Sequence, residues 1–501
     1  MSKLPRQIPF IIANEGCERY SFYGMRNILQ PFLAATLLAT AADPKIAAKD
    51  TFHTFVMGVY FFPLLGGWLS DRFFGKFNTI FWFSLIYCAG QACLTFFVDD
   101  LTGFSVGLGL IALGSGGIKP LVASFVGDQF DAETKPLAKI VFDAFYWIIN
   151  FGSFFATLFA SFTLHHYGPR VAFGIPGVLM LIATIVFVAG RPRYVMIPPA
   201  KPDAHSFVRV ARTAITSTGT SMLVALLGVA AAACAFLLVG HADLVAVICL
   251  ALVILLAAGG IAASLGLDHI RGKHPDEAIE GVRAVLRILI AFALCTPFFS
   301  LFDQKATTWV IQGGELSKPS WFAPEMMQAL NPALVMLLIP LNNLVLFPWL
   351  RARGWEPTPL RRMTTGIACA GIAWIIVGAM QLALDGGTDL AITWQIIPYV
   401  FLTLGEVLVS ATGLEFAYSQ APPSMKGVIM SFWNLVVTIG SLWVLLSDAS
   451  VKTTWVATRV TDTGLSVTAF QMFFFAGFAL VAATAFGAYA KRYKMADHYR
   501  V

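Results

Sequence analysis

Charged residues are scarce in this sequence: Asp, Glu, Lys and Arg make up 12% of its 501 residues, and hydrophobic residues make up 57%. Soluble domains carry about 25% charged residues, so the composition excludes an ordinary soluble fold. Apolar runs long enough to cross a hydrocarbon layer of about 30 Å recur along the chain, which indicates a membrane protein whose main surroundings are the lipid bilayer. These runs are continuous and lack a period of two, so we expect spanning helices rather than strands.

The sequence also lacks the patterns of several kinds of site. Its seven cysteines lie within or beside apolar runs and have no disulfide or metal-ligand spacing. It contains no HExxH motif, no GxSxG nucleophile elbow and no glycine-rich nucleotide loop after a strand, since its one GxSxG string, GFSVG at 103–107, lies within an apolar span. We therefore expect no enzyme, no ATP-driven pump and no cofactor. The net charge of +6 reflects membrane topology in our interpretation, and we expect no nucleic-acid partner.

Fourteen apolar segments are candidate membrane spans, roughly 12–40, 51–74, 77–98, 101–127, 138–163, 171–190, 216–239, 243–267, 284–311, 324–350, 362–384, 391–419, 427–448 and 466–490. With both termini in the cytoplasm, the inner loops carry most of the Lys and Arg residues. The outer loops then carry only Lys45, Lys49, Arg170, Lys318, Lys452 and Arg459. The positive-inside rule favours this orientation.

The charged links divide the chain into three parts. Two basic links, 191–212 and 269–287, enclose two spans without an ionisable residue in their interior. We therefore predict an N-terminal six-helix bundle at 1–190, a linker with two extra transmembrane helices at 191–280, and a C-terminal six-helix bundle at 281–501. Two such halves around a central site are typical of transporters, and the extra pair is expected to face lipid.

The first span carries a continuous polar face. Glu15, Glu18, Arg19, Tyr23 and Arg26 are spaced so that they lie along one side of a helix. Each ionisable group inside a membrane costs on the order of 3 kcal/mol, so such a set indicates a functional cavity. The alternative is an ion cluster that only joins helices, but that role does not need a second arginine two turns further along.

Other spans also contain ionisable residues. His53 lies seven residues before Tyr60 on one helical face, although a lone histidine is more often a packed polar residue. Lys119 needs an acidic partner or an anionic ligand. The remaining groups are Asp303 and Lys305 in the ninth span, and Glu406 and Glu415 in the twelfth, nine residues apart and therefore on different faces.

Four strings resemble motifs of the proton-dependent oligopeptide transporter family, which belongs to the major facilitator superfamily: ERYSFYGMR (18–26), FYWIINFGS (145–153), LFDQK (301–305) and GLEFAYSQAP (413–422). The resemblance covers nearly the whole chain, with the extra helix pair of the bacterial form. It implies an all-α membrane fold of two six-helix bundles plus that pair, fourteen helices in all. It further implies a proton-coupled symporter of the bacterial inner (plasma) membrane, functional as a monomer, that imports di- and tripeptides and also accepts peptidomimetic drugs.

The same resemblance implies roles for individual residues. Proton coupling is expected of Glu15, Glu18, Arg19, Lys119, His53 and Asp303. Arg26 and Lys119 are expected to bind the peptide carboxylate, and Glu406 the peptide ammonium. Asp303 is also expected to pair with Arg26 near the extracellular gate. The other expected substrate-binding residues are Tyr23, Tyr60, Asn150, Asn331, Ser410, Trp433 and Phe299, the last replacing a tryptophan of many relatives.

This arrangement of charges suits a short peptide. A peptide is a zwitterion whose ends are separated by about 3.5 Å per residue when extended. A cationic group at one end of a cavity and Glu406 at the other would bind both ends and tolerate many side chains. The nearest alternative is a proton-coupled symporter of the same family for nitrate or a peptide-like drug. Glu406 argues against a simple anion, which would not need it.

Overall fold

The computed structural model describes residues 5–130, 135–199, 204–240, 244–420 and 426–493. Within these ranges the regular secondary structure is helical. Before residue 200 the α-helices are α1 Ile8–Ala35, α2 Pro44–Phe61, α3 Pro63–Leu69, α4 Gly75–Phe96, α5 Leu101–Gly127, α6 Lys135–Tyr167 and α7 Pro169–Ala189.

The rest of the described chain continues this pattern. The linker region contains α8 Phe207–Ile215, α9 Gly219–Ala235 and α10 Leu244–Gly266. The C-terminal part contains α11 Asp276–Asp303, α12 Thr308–Glu315, α13 Leu330–Leu341, α14 Phe347–Ala352, α15 Pro359–Asp385, α16 Ile396–Glu406, α17 Thr412–Gln420, α18 Lys426–Val451, α19 Thr454–Thr461 and α20 Val467–Arg492.

Twelve helical segments within the described ranges are long and apolar enough to cross a membrane. One of them, Pro44–Phe96, runs through α2, α3 and α4. Helix α1 is not among the twelve, since it carries four ionisable residues, Glu15, Glu18, Arg19 and Arg26. The structure therefore confirms an all-helical, multi-pass membrane fold.

The chain forms two compact units. The first consists of Met1–Ala200, Asp303–Pro357 and Ile372–Val407, and the second of Lys201–Phe302, Thr358–Gly371 and Leu408–Val501. Each unit thus combines segments that are distant in the sequence. In the first, α1 packs against α6 and α7, while α4 packs against α5.

Glycines allow α4 and α5 to approach each other closely. A Cβ added at Gly90 would lie 2.8 Å from the carbonyl oxygen of Gly107, and one added at Gly114 would lie 2.8 Å from the carbonyl oxygen of Phe83. Real side chains do not reach such distances, so only glycine fits at these contacts. This close packing fixes α5, whose Lys119 lies five residues after Gly114.

In the second unit, α9 and α10 pack against each other through small residues and leave large apolar side chains exposed. Gly228 of α9 lies directly against Ala258 of α10. Leu223, Leu226 and Leu227 of α9 are 56–60% exposed. An exposed apolar surface of this kind suits lipid rather than water.

Candidate functional site

The polar face of α1 begins with a buried ion cluster. Arg19 Nε lies 3.1 Å from Glu15 Oε1, and it also contacts Glu18. All three side chains are at most 9% exposed. Since two carboxylates share one guanidinium, the cluster carries a formal charge of −1 when both glutamates are ionised. The helical spacing seen in the sequence therefore does bring these groups together.

Two turns further along α1, Arg26 pairs with the end of α11. Its Nη2 donates to Asp303 Oδ1 at 2.6 Å, and both side chains are nearly fully buried. The Arg26 guanidinium also lies over the Phe52 ring, with Cζ 5.0 Å from the ring centroid. Beside Phe52, His53 Nε2 lies 3.3 Å from Thr307 Oγ1. Arg26, His53 and Asp303 thus form one polar region of the first unit.

Lys119 lies against aromatic rings. Its ammonium nitrogen is 3.6 Å from the Phe22 ring centroid and 4.4 Å from the Tyr60 ring centroid. Among the described residues, this buried nitrogen has no hydrogen-bond partner. It interacts electrostatically with Glu18 and Arg26. Cation–π contacts are weaker than hydrogen bonds to a carboxylate, so Lys119 can accept an anionic ligand group.

A second acidic group lies at the end of α16. Asn331 Nδ2 donates to Glu406 Oε2 at 2.6 Å and to Thr403 Oγ1 at 3.1 Å. Lys305 and Glu406 interact electrostatically. The amide of Asn331 therefore orients a carboxylate that is only partly buried. The first unit thus contains cationic groups on α1 and α5 and this carboxylate on α16.

The remaining predicted residues are distributed over both units. Tyr23, Tyr60 and Asn150 are half-buried in the first unit. In the second unit, the rings of Phe299 and Trp433 meet edge to face, with centroids 5.9 Å apart. Gly413 lies directly against the Trp433 indole, because a Cβ there would overlap the ring. Ser410 lies in the π-helical turn Val407–Ala411. The side chain of Glu415 lies outside the described residues.

One polar cluster of the first unit contains none of the residues that the sequence predicts for the site. Glu325, 3% exposed at its side chain, lies 2.7 Å from His165 Nε2 and accepts a hydrogen bond from Ser161 Oγ at 2.8 Å. His165 and Ser161 belong to α6, whereas Glu325 lies in the short 3₁₀ helix Pro324–Ala329. The only indication in the sequence is that Glu325 is an acidic residue at the start of an apolar span. The sequence pattern does not indicate which residues pair with it.

Buried ion pairs on several membrane-spanning helices are typical of multi-pass membrane transporters. The PTR2 model of the POT family matches residues 77–463 of the chain. The chain therefore belongs to the POT family.

Solved structures of the same family are similar over almost the entire chain. One, an auto-inhibited POT family peptide transporter, is 60% identical with a TM-score of 0.96, and the match covers 99% of each chain. Another, the POT family transporter PepTSo, is 58% identical with a TM-score of 0.97, covering 99% of this chain and 100% of the other.

Curated relatives from animals are more distant. Peptide transporter family 1 of Drosophila melanogaster is 31% identical over 399 residues, which are 76% of this chain and 48% of the relative. Peptide transporter family 1 of Caenorhabditis elegans is 33% identical over 403 residues, which are 76% of this chain and 45% of the relative. The chain spans about half the length of these relatives.

Proposed function

We propose that the protein is a proton-coupled symporter that imports di- and tripeptides by alternating access. The observation that carries this proposal is the opposition of charges within the first unit: Arg26 and Lys119 are cationic, and Glu406 is anionic and oriented by Asn331. A zwitterionic peptide presents complementary charges at its two ends. Relatives named peptide transporters support the substrate class.

Proton coupling follows from the ion cluster on α1. In the absence of substrate, Arg19 compensates one of the two charges of Glu15 and Glu18, and Lys119 interacts electrostatically with Glu18. When Lys119 turns to a substrate carboxylate, Glu18 loses part of its compensating charge and takes up a proton. Binding of the peptide and of the proton therefore favour each other, which is what symport requires.

The energy available per proton is sufficient for accumulation. A charge that crosses a membrane potential of 100 mV releases about 2.3 kcal/mol. One pH unit adds about 1.4 kcal/mol. Together these contributions support an accumulation of several hundredfold per proton.

Several further features belong to this proposal. The chain has fourteen transmembrane helices, with six before and six after the pair α9 and α10, and both termini lie in the cytoplasm. It works as a monomer in the inner membrane of a bacterium, and peptidomimetic drugs are additional substrates. His53 and Asp303 contribute to coupling at the extracellular gate. Substrate contacts come from Tyr23, Tyr60, Asn150, Phe299, Asn331, Ser410 and Trp433.

Uptake into proteoliposomes tests the proposed function. Labelled dialanine is expected to accumulate when the outside is more acidic than the inside, and only to equilibrate without the gradient. Labelled nitrate is assayed in the same way, because it represents the alternative substrate class. Accumulation of nitrate without accumulation of dialanine would overturn the peptide assignment.

A further inference from the structure

An apolar groove runs along the side of α1 that faces away from its ion cluster. It lies between α1 and α6 and has a volume of about 790 Å³. Its lining is almost entirely carbon, and the residues that matter here are Pro9, Ala13, Cys17, Phe151, Gly152 and Phe155. The proposed transport function does not use this groove.

Small residues create the space between the two helices. A Cβ added at Gly152 would lie 3.5 Å from the carbonyl oxygen of Gly16, which is ordinary contact distance. Ala13 is exposed and extends no further than its methyl group into the groove. A larger side chain at the exposed Ala13 would therefore enter the groove, whereas at the buried Gly152 a methyl group already reaches α1.

The dimensions of the groove fit one lipid chain. Its lining on α1 extends from Pro9 to Tyr20. At 1.5 Å per residue this stretch is about 16 Å long, close to the roughly 15 Å of hydrocarbon in one leaflet. An apolar groove of this length on the outside of a membrane helix suits an acyl chain.

Two arginines lie at the Pro9 end of the groove. Arg6 is exposed and lies four residues before Phe10, just ahead of the start of α1, and Arg193 lies over the Phe10 ring with Cζ 5.0 Å from its centroid. Among the described residues, neither arginine has a carboxylate partner within ion-pair distance. Guanidinium groups bind phosphate oxygens with two hydrogen bonds, so this end of the groove suits a phosphodiester.

We propose that this groove binds one anionic phospholipid, with an acyl chain between α1 and α6 and its phosphate at Arg6 and Arg193. The lipid contacts the same helix that carries Glu15, Glu18 and Arg19 on its other side. The bound lipid therefore stabilises the position of α1.

Native mass spectrometry of the purified transporter tests the proposal. Phosphatidylglycerol is expected to bind at least tenfold more tightly than phosphatidylcholine with identical chains. Arg6→Gln combined with Arg193→Gln should remove this preference. Ala13→Phe should reduce phosphatidylglycerol binding at least fivefold. Gly109→Leu is the matched control, because Gly109 is exposed on α5 with no atom near its added Cβ. Equal binding of the two lipids to the wild type would overturn the proposal.

A second measurement does not depend on a substitution in the groove. Trp147 stacks on the groove residue Phe151, with ring centroids 4.8 Å apart. The fluorescence of Trp147 is the part of the protein signal that Trp147→Phe removes. In phosphatidylcholine vesicles, this fluorescence should be quenched more strongly by phosphatidylglycerol with brominated chains than by the same fraction of brominated phosphatidylcholine. Arg6→Gln with Arg193→Gln should abolish this excess. Equal quenching by both lipids would contradict the proposal.

Discussion

Arg26 of α1 and Asp303 of α11 are 277 residues apart in the sequence and form a 2.6 Å ion pair between nearly buried side chains. Such a pair pays a large desolvation cost, so loss of one partner leaves an uncompensated charge. The second carboxylate oxygen, Asp303 Oδ2, is buried and has no hydrogen-bond partner among the described residues. The pair can therefore open when another anion replaces the Asp303 carboxylate at Arg26.

The first prediction concerns the stability of this pair. Asp303→Asn and Arg26→Gln should each lower the free energy of unfolding in detergent by about 3–5 kcal/mol, because each leaves one buried charge unpaired. The double variant should lose much less than the sum of the two. Asp99→Asn is the control, since Asp99 pairs with Arg170 at the exposed surface and should have little effect. Additive losses in the double variant would contradict an interaction between Arg26 and Asp303.

The second prediction separates proton coupling from transport. Glu18→Gln should abolish accumulation of dialanine under a pH gradient but preserve counterflow exchange, because the variant still binds and carries peptide without exchanging a proton. Glu277→Gln is the control, as Glu277 is exposed at the start of α11. If Glu18→Gln still concentrated peptide under a pH gradient, the assignment of Glu18 to coupling would be wrong.

The third prediction concerns acid stability of the linker region. His205 Nδ1 and His274 Nδ1 lie 3.0 Å apart, so one ring must be neutral and accept the hydrogen bond. Desolvation, and secondarily the proximity of His205, lowers the pKa of His274 from its ordinary value of 6.5. The folded state therefore binds fewer protons than the unfolded state below pH 6.5. The contribution of neutral His274 to stability is complete above pH 6.5 and is lost as the pH falls through the lowered pKa.

This reasoning gives a measurable difference between variants. His274→Gln should reduce the fall in melting temperature between pH 7 and pH 5 relative to the wild type. His269→Gln is the control, because His269 is exposed on the same link. An unchanged pH dependence in His274→Gln would show that the histidine pair does not contribute to acid sensitivity.

Much of this organisation could be predicted from the sequence. Apolar runs specify spanning helices because the bilayer leaves the backbone no other way to satisfy its hydrogen bonds. The cluster of Glu15, Glu18 and Arg19 was predictable because helical spacing alone places these side chains together. The pairing of Arg26 with Asp303 came from the family resemblance, since no local pattern relates residues so far apart.

Other contacts depend on tertiary packing and could not be predicted. Glu325 meets His165 and Ser161 across more than 150 residues, and hydrophobic patterning contains no information about that pairing. The aromatic contacts of Lys119 also depend on the close approach of α5 to the end of α2, where a Cβ at Gly116 would lie 2.7 Å from the carbonyl oxygen of Phe62. The sequence indicated a residue in need of a partner, but the structure was required to find Phe22 and Tyr60.

The central claim is that Glu406 binds the ammonium end of the peptide, while Arg26 and Lys119 bind its carboxylate. The most direct test compares binding of dialanine, N-acetyl-dialanine and dialanine amide to the wild type and to Glu406→Gln. We expect the wild type to prefer dialanine over each blocked form by about tenfold to a hundredfold, the range of a charged hydrogen bond. Glu406→Gln should lose the preference over N-acetyl-dialanine and keep the preference over the amide. Unchanged discrimination against N-acetyl-dialanine in Glu406→Gln would contradict the account.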